Sequence, residues 1–405
     1  LDALEAALHQ TSNGQPKNFM ITGERGIGKT SILDYIRHVA QGRLQFSREK
    51  VKFLVVTTDV EPGTSQLTLL KKIQRGISRE LAGKEAARSF LKDAWGFITR
   101  FEAGGVKLRD VQAEETELLL DDFAYSMAKT TCRLTESDAD SVFGAKYDGV
   151  ILLLDECDKA SKDLDLGTFV KLLLERVQRQ ECDKLMVIVA GLDNLRDVLY
   201  ASHESSLRLF DELRLGRLST EEVEKVVNVC LEKACEVGGK QTTIDDHGMA
   251  SLVGLSEGYP HFIQQLGYCA FDVDSDGVIG EDDIIGGAVG PRGAIARIGD
   301  RYYRDDFYRK IQKESYRRVL RIMADRFDLW ITKDEIRGKF EGKETTLNNA
   351  IHALRSRDII LSQEGKKGVY RLRNKAFAYW IKLYTHKDDA SGLFVDSIAG
   401  GKVST

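Results

Sequence analysis

Proline is scarce, with four in 405 residues, which excludes a Pro-rich or collagen-like chain. Long apolar runs are missing too. Nothing reaches the ~18 consecutive apolar residues of a membrane span, so no membrane partner is expected. The chain opens on Leu1 rather than Met, and no charged stretch followed by an apolar one marks a signal peptide. Truncation at the N-terminus is expected, and secretion is not. The six cysteines are Cys132, Cys157, Cys182, Cys230, Cys235 and Cys269. No C-x-x-C pair and no Cys/His cluster of zinc spacing occurs among them. They read as reduced thiols of a cytoplasmic protein.

What is present is a globular composition, 42% hydrophobic and 30% charged. At ~100–200 residues per domain it suggests two to four domains. A net charge of −4 conceals an asymmetry, because Arg301 to Lys387 holds 22 Lys and Arg against 11 Asp and Glu. A basic C-terminal block on an acidic body fits a polyanion-facing module, or else a solvated helical surface.

Apolar runs at 18–22 (NFMIT), 51–58 (VKFLVVTT), 149–154 (GVILLL) and 185–190 (LMVIVA) read as strands, with a fifth at 211–216 (DELRLG). The third and fourth are nearly all apolar, as parallel strands covered on both faces are. Residues 64–100 read as mostly helical, 101–113 as a hairpin or loop, and Glu114 to Leu134 as a helix. Strands stop after Ser219, which forms a capping box with Glu222. GGAVGPRGA (286–294) reads as a linker, a long, basic helical stretch covers roughly 295–325, and 315–385 reads helix, helix, helix, hairpin. Residues after Asp388 read as a frayed tail. The expected domains are 1–218, 219–288, a connector at 289–314, 315–387, and a tail at 388–405.

Gly23-Glu24-Arg25-Gly26-Ile27-Gly28-Lys29-Thr30 fits G-x-x-x-x-G-K-[ST] between a strand and a helix. Glycines let the backbone wrap close to phosphates, and a helix N-terminus supplies amide donors. Lys29 should reach the β/γ-phosphates, and the Thr30 hydroxyl should ligate Mg²⁺. Ser31 continues the loop into the helix. In GVILLLDECDK, Asp155 at a strand tip can hold the Mg²⁺ shell, and Glu156 is the candidate base for the attacking water. Asp158 reads as a cap. Asn194, with Asp193 behind it, could orient that water, or could simply cap a helix. Arg208 precedes the fifth strand and could serve a neighbouring subunit as an arginine finger, or could form a surface ion pair. Arg214 and Arg217 are less well placed.

Gly258-Tyr259-Pro260-His261 opens a helix, where Pro260 is a common structural choice. The functional reading sets Pro260 and His261 over the nucleotide. Asp272, Asp274, Asp276 and Gly277, ending in Asp283, mimic a calcium loop with Asp where the bidentate Glu belongs. Asx turns account for them equally. Near the C-terminus, Thr332 and Glu335 make a second capping box. Leu347, Ile351 and Leu354 share one helix face, which turns Asn348, Asn349, His352 and Arg355 outward to where base edges could be read. A hairpin turn then carries Lys366 and Lys367, as a DNA-contacting wing would. The alternative is a winged helix used for protein contact.

These motifs, in this order, resemble the AAA+ and STAND branches of the P-loop ATPases. The similarity is greatest to prokaryotic origin-recognition-like and transposition-regulator ATPases, and it spans nearly the whole chain. It implies a five-stranded parallel α/β core, an α-helical lid and a C-terminal winged helix. It further implies an ATP- and Mg²⁺-dependent switch that assembles on DNA, with Lys29 and Thr30 on phosphate and metal, Asp155 and Glu156 on metal and water, and Arg208 at the finger. The G-x-P lid departs from the initiators, which usually carry an arginine there. It looks more like STAND signalling ATPases, for which a protein partner or a homo-oligomer is implied.

Overall fold

The computed structural model describes residues 1–44, 50–103, 113–238, 241–326, 330–357 and 359–385. The hairpin or loop expected at 101–113 and the expected tail lie largely outside them. The chain divides into two compact units, Leu1–Gly216 and Arg217–Thr405.

The first unit runs α1 (Asp2–Ser12), β1 (Asn18–Gly23), α2 (Lys29–Ala40), β2 (Phe53–Asp59), α3 (Gln66–Leu81), α4 (Glu85–Ala103), α5 (Ala113–Thr135), α6 (Ala139–Phe143), β3 (Gly149–Asp155), α7 (Leu166–Arg179), β4 (Leu185–Gly191), α8 (Leu195–Ser202) and β5 (Phe210–Leu215). Its five strands are parallel, in the order β2-β3-β4-β1-β5. Strands β3 and β4 are buried along their whole length, which is why they read as unbroken apolar runs.

Successive residues of β3 feed opposite cores. Val150, Leu152 and Leu154 pack with α3, α4, α5 and α7. Ile151 and Leu153 join the core of α1 and α2. The period of two thus builds a three-layer α/β/α sandwich. Chain order reverses about β1, and ligands of such sheets bind where strand order reverses, beyond the C-terminal strand ends. The helical stretch at 64–100 is two helices, with Ala82–Lys84 between them.

The second unit runs α9 (Thr220–Gly238), β6 (Thr243–Ile244), α10 (Asp246–Ser256), α11 (Pro260–Val273), β7 (Val278–Ile279), α12 (Glu281–Val289), α13 (Ala294–Tyr302), α14 (Glu314–Ala324), β8 (Ile331–Thr332), α15 (Lys333–Lys339), α16 (Glu344–Arg355), β9 (Ile360–Ser362), β10 (Val369–Leu372) and α17 (Lys375–Tyr384). Both capping boxes form. The Ser219 hydroxyl accepts the Glu222 amide at 3.3 Å while the Glu222 carboxylate accepts the Ser219 amide at 2.8 Å. Thr332 and Glu335 repeat the exchange at 3.2 and 2.8 Å.

One local expectation fails here. The linker at 286–294 is helical up to Val289. Its glycines serve packing, because a Cβ at Gly287 would stand 2.6 Å from the Cys269 carbonyl carbon of α11. The basic helical stretch over 295–325 comes in three pieces: α13 ends at Tyr302, a single π turn covers Asp306–Lys310, and α14 begins at Glu314. The Arg317 guanidinium donates to the carbonyls of Phe307, Ile311 and Tyr308 at 3.1, 2.9 and 2.9 Å. It thereby satisfies carbonyls that a helix end leaves orphaned.

Residues 315–385 contain more than three helices and a hairpin. Strand β8 joins the hairpin in an antiparallel sheet ordered β8-β10-β9, and α17 closes the unit by packing on α13 and α14.

Candidate functional site

The loop 23–28 leaves the central strand β1 and enters α2. Gly26 (φ 83°) and Gly28 (φ 104°) take left-handed conformations that a Cβ would strain. Ile27 is buried and anchors the loop, whereas Arg25 and Ser31 are exposed. Lys29 folds back across the loop, and its Nζ donates to the carbonyls of Gly23 and Glu24 at 2.8 Å each. Burial pulls the Lys29 pKa down, against the opposing pull of Asp158, Asp155, Asp193 and Glu24. The ammonium therefore sits desolvated among carboxylates, poised to exchange carbonyl partners for phosphate oxygens.

Opposite it, β3 ends at Asp155. Asp155 Oδ2 accepts the Thr30 hydroxyl at 2.8 Å, and Oδ1 accepts the Glu156 amide at 2.7 Å. Hydroxyl and carboxylate oxygen together are the hard donors that Mg²⁺ prefers, with waters and phosphates completing its octahedron. Among the described residues, no group of three or more His, Cys, Asp and Glu side chains could hold a metal by itself. That includes the acidic loop at 272–283. There Asp274 accepts the amides of Asp276 and Gly277 at 3.2 and 2.9 Å, Asp276 accepts that of Val278 at 2.9 Å, and Asp283 accepts that of Gly280 at 2.9 Å.

Glu156 adopts φ 56°, a left-handed conformation that costs about 1–3 kcal/mol for a non-glycine residue. Its carboxylate pairs with Lys159 at 2.5 Å and stays half exposed. Asp158 accepts the Leu192 amide at 3.0 Å, so it ties the tip of β3 to that of β4 across strands and caps no helix.

One acidic residue of this cluster escaped the sequence reading. Asp59 ends β2 directly beside Asp155 in register. Its carboxyl pKa is pushed up by partial burial, then by Asp155 and Glu156. The only sequence signal is an Asp at the tip of an apolar strand, and strand order cannot be read from one sequence.

The turn after β4 also separates its two candidates. Asp193 lies near enough to act on Lys29, and it faces Arg214 of β5 at 3.7 Å. Asn194 is exposed and starts α8 without a side-chain cap bond. Arg208 is exposed on the short 3₁₀ helix Glu204–Leu209. The His203 ring caps that helix by accepting the Ser205 amide at 3.3 Å.

The remaining candidates belong to the second unit. Pro260 starts α11. His261 is half-buried against Arg301, 3.2 Å from its guanidinium, and burial and that cation lower the His261 pKa. Arg217 donates to the Tyr259 hydroxyl at 2.7 Å. On α16, Leu347, Ile351 and Leu354 are buried, while Asn348, Asn349, His352 and Arg355 are exposed together. Lys366 and Lys367 are exposed in the turn between β9 and β10.

With this geometry in view, the family comparison decides the first unit: residues 1–189 match the AAA ATPase domain family. This segment is an AAA ATPase domain. The chain is therefore a nucleotide-binding ATPase. No curated protein sequence matches the chain. Two solved structures share the fold along nearly its full length. A Walker-type ATPase of Pyrococcus abyssi is 14% identical, with 94% of this chain and 95% of that one covered and a TM-score of 0.52. The Aeropyrum pernix ORC2 protein, in ADPNP–ADP complexes, is 13% identical, with 94% and 91% covered and a TM-score of 0.53. The AAA ATPase domain accounts for the P-loop, the strand order and the acidic tip of β3.

Proposed function

We propose that the chain is an ATP-hydrolysing molecular switch that controls assembly on duplex DNA, in replication, transposition or a related transaction. The Thr30–Asp155 hydrogen bond carries the nucleotide half of this reading, because it joins the P-loop to the β3 tip through two Mg²⁺-seeking oxygens. ADPNP and ADP in the Aeropyrum structure favour adenine nucleotides. Lys29 would bind phosphate, Thr30 and Asp155 would hold Mg²⁺, and Glu156 would take the proton of the attacking water. Arg208, exposed on its capped helix, would reach the nucleotide of a neighbouring copy. Asp193 joins Asn194 as a candidate for orienting that water.

For DNA, the support is the shared outward face of Asn348, Asn349, His352 and Arg355 beside Lys366 and Lys367, read as the recognition helix and wing of a winged helix. Among the described residues, Arg355, Lys366 and Lys367 enter no ion pair.

A second reading, a STAND-type signalling or defence ATPase that assembles through protein contacts, is favoured by one observation. Much of the basic block is neutralised within its own unit. Arg318 pairs with Glu341 at 2.6 Å, Arg326 with Glu335, Lys333 with Glu344 at 3.2 Å, and Arg317 and Arg321 both with Glu314.

Light scattering after size exclusion, in ATP or ADP and with or without duplex DNA, separates the two. ATP-dependent assemblies that include DNA support the first. Assemblies indifferent to DNA support the second.

A further inference from the structure

The phosphate loop and the entry to the second unit are close along the chain. Leu215, the last residue of β5, stands in register beside Gly23, where the loop begins. Only Gly216 separates Leu215 from Arg217, the first residue of the second unit.

Within that unit, the turn between α10 and α11 holds Arg217. The guanidinium donates to the Tyr259 hydroxyl at 2.7 Å, lies 4.4 Å from the centre of the Tyr259 ring, and faces the Glu257 carboxylate at 3.6 Å. The Leu218 amide donates to the Gly258 carbonyl at 2.9 Å. Tyr259 is buried, so the anchor point of Arg217 is part of the core.

Glu257 is the unexpected member of this turn. It ends α10 at φ 49°, the left-handed conformation in which helices usually stop on Gly or Asn. A glutamate there is strained, and such strain persists where the surroundings over-determine it. The side chain supplies the reason. Its Oε1 faces Arg217, and its Oε2 accepts the amide of Lys375, 118 positions further on, at 2.6 Å. Lys375 opens α17, and the cap of that helix is buried: Asn374 Oδ1 accepts the Phe377 amide at 2.8 Å and the Tyr303 hydroxyl at 2.7 Å. Helix α17 packs on α14, and α14 packs on α16, which presents Asn348, Asn349, His352 and Arg355.

We propose that Glu257 couples the phosphate loop to α17, and through α14 to the outer face of α16, as the internal relay of the nucleotide switch on which this inference rests. Both carboxylate oxygens are committed. A shift of Arg217 must therefore be followed by α17, or else break a charge-assisted hydrogen bond. The response of the loop to ATP or ADP then travels along Leu215, Arg217, Glu257 and Lys375.

Hydrogen–deuterium exchange on the full chain with Mg²⁺ and either ADPNP or ADP tests the coupling. Mass spectrometry reads the peptides covering the phosphate loop (23–31) and α17 (374–384). In the unmutated protein both peptides should exchange at different rates in the two nucleotides. Glu257→Gly suits the left-handed backbone, so the fold should persist. It should keep the difference at the loop and lose it at α17. Glu257→Gln still offers an oxygen to the Lys375 amide and should keep part of the α17 difference. A difference at α17 that survives Glu257→Gly overturns the coupling. So does an unmutated protein whose loop responds while α17 does not, and there the nucleotide-switch reading stands. A loop indifferent to nucleotide removes both. The comparison in the unmutated protein needs no variant to fold.

Discussion

Thr30 and Asp155 are 125 positions apart in sequence, yet the hydroxyl of one donates to the carboxylate of the other at 2.8 Å. The first residue stands at the start of α2 and the second at the end of β3, two elements that neighbour each other only because β1 lies inside the sheet. With one partner removed, the other should lose most of its hold on magnesium. Thr30→Ala is expected to raise the Mg²⁺ concentration needed for half-maximal ATP turnover while leaving the melting temperature nearly unchanged. An unaltered Mg²⁺ titration would remove Thr30 from the metal site.

Lys29 is held in place by two backbone carbonyls and surrounded by carboxylates. Hydrogen bonds to charged groups contribute about 1.5–3 kcal/mol, so Lys29→Ala should weaken ATP binding by roughly 10- to 100-fold at ~1.4 kcal/mol per decade. Calorimetry on the folded variant measures this. Glu156→Gln should bind ATP normally and lose on the order of 10²–10⁴ in turnover, the usual share of a general base. Retained turnover would move the base elsewhere.

Asp59 carries a raised pKa next to Asp155 and Glu156. A carboxyl whose folded pKa exceeds its unfolded one favours the fold when protonated. Its contribution is complete below the unfolded value, about 3.9, and fades as pH rises through the folded value. Asp59→Asn should therefore raise the melting temperature at pH 7, with the gain shrinking as pH drops toward 4. A gain that grows toward acid pH would reverse this sign.

Arg355, Lys366 and Lys367 test the nucleic-acid reading, since neutralising them breaks no ion pair among the described residues. Each phosphate that the variant no longer neutralises should flatten the slope of log affinity against log salt by about 0.9. Fluorescence anisotropy with a duplex, at several salt concentrations, supplies that slope for the triple alanine variant. If the unmutated protein shows no duplex binding at low salt, the protein-partner reading gains.

Gly299 of α13 tests the packing of the second unit. A Cβ there would stand 1.8 Å from the Trp380 indole of α17, which is itself buried. Overpacking of a tight core costs about 1–3 kcal/mol. Gly299→Ala should lower stability by that order in denaturant unfolding, and a neutral result would mean that α17 yields easily.

Elements whose cause is local were legible from the order of residues. Four apolar runs and the segment at 211–216 became five parallel strands, the glycine-rich loop appeared between β1 and α2, and both capping boxes closed as their spacing required. Periodicity, glycine conformation and cap chemistry act within a few residues, so one chain suffices to read them. Tertiary structure alone decided what depends on neighbours distant in sequence. It set Asp59 in register with Asp155, brought Asp193 of the β4 turn opposite Arg214 of β5, and turned Gly287 from a linker glycine into a helix contact. It also gave the Arg317 guanidinium three carbonyls to satisfy between α13 and α14. Strand order and helix packing fix these pairings, and both follow from burying all the apolar faces at once, a constraint that no single segment carries.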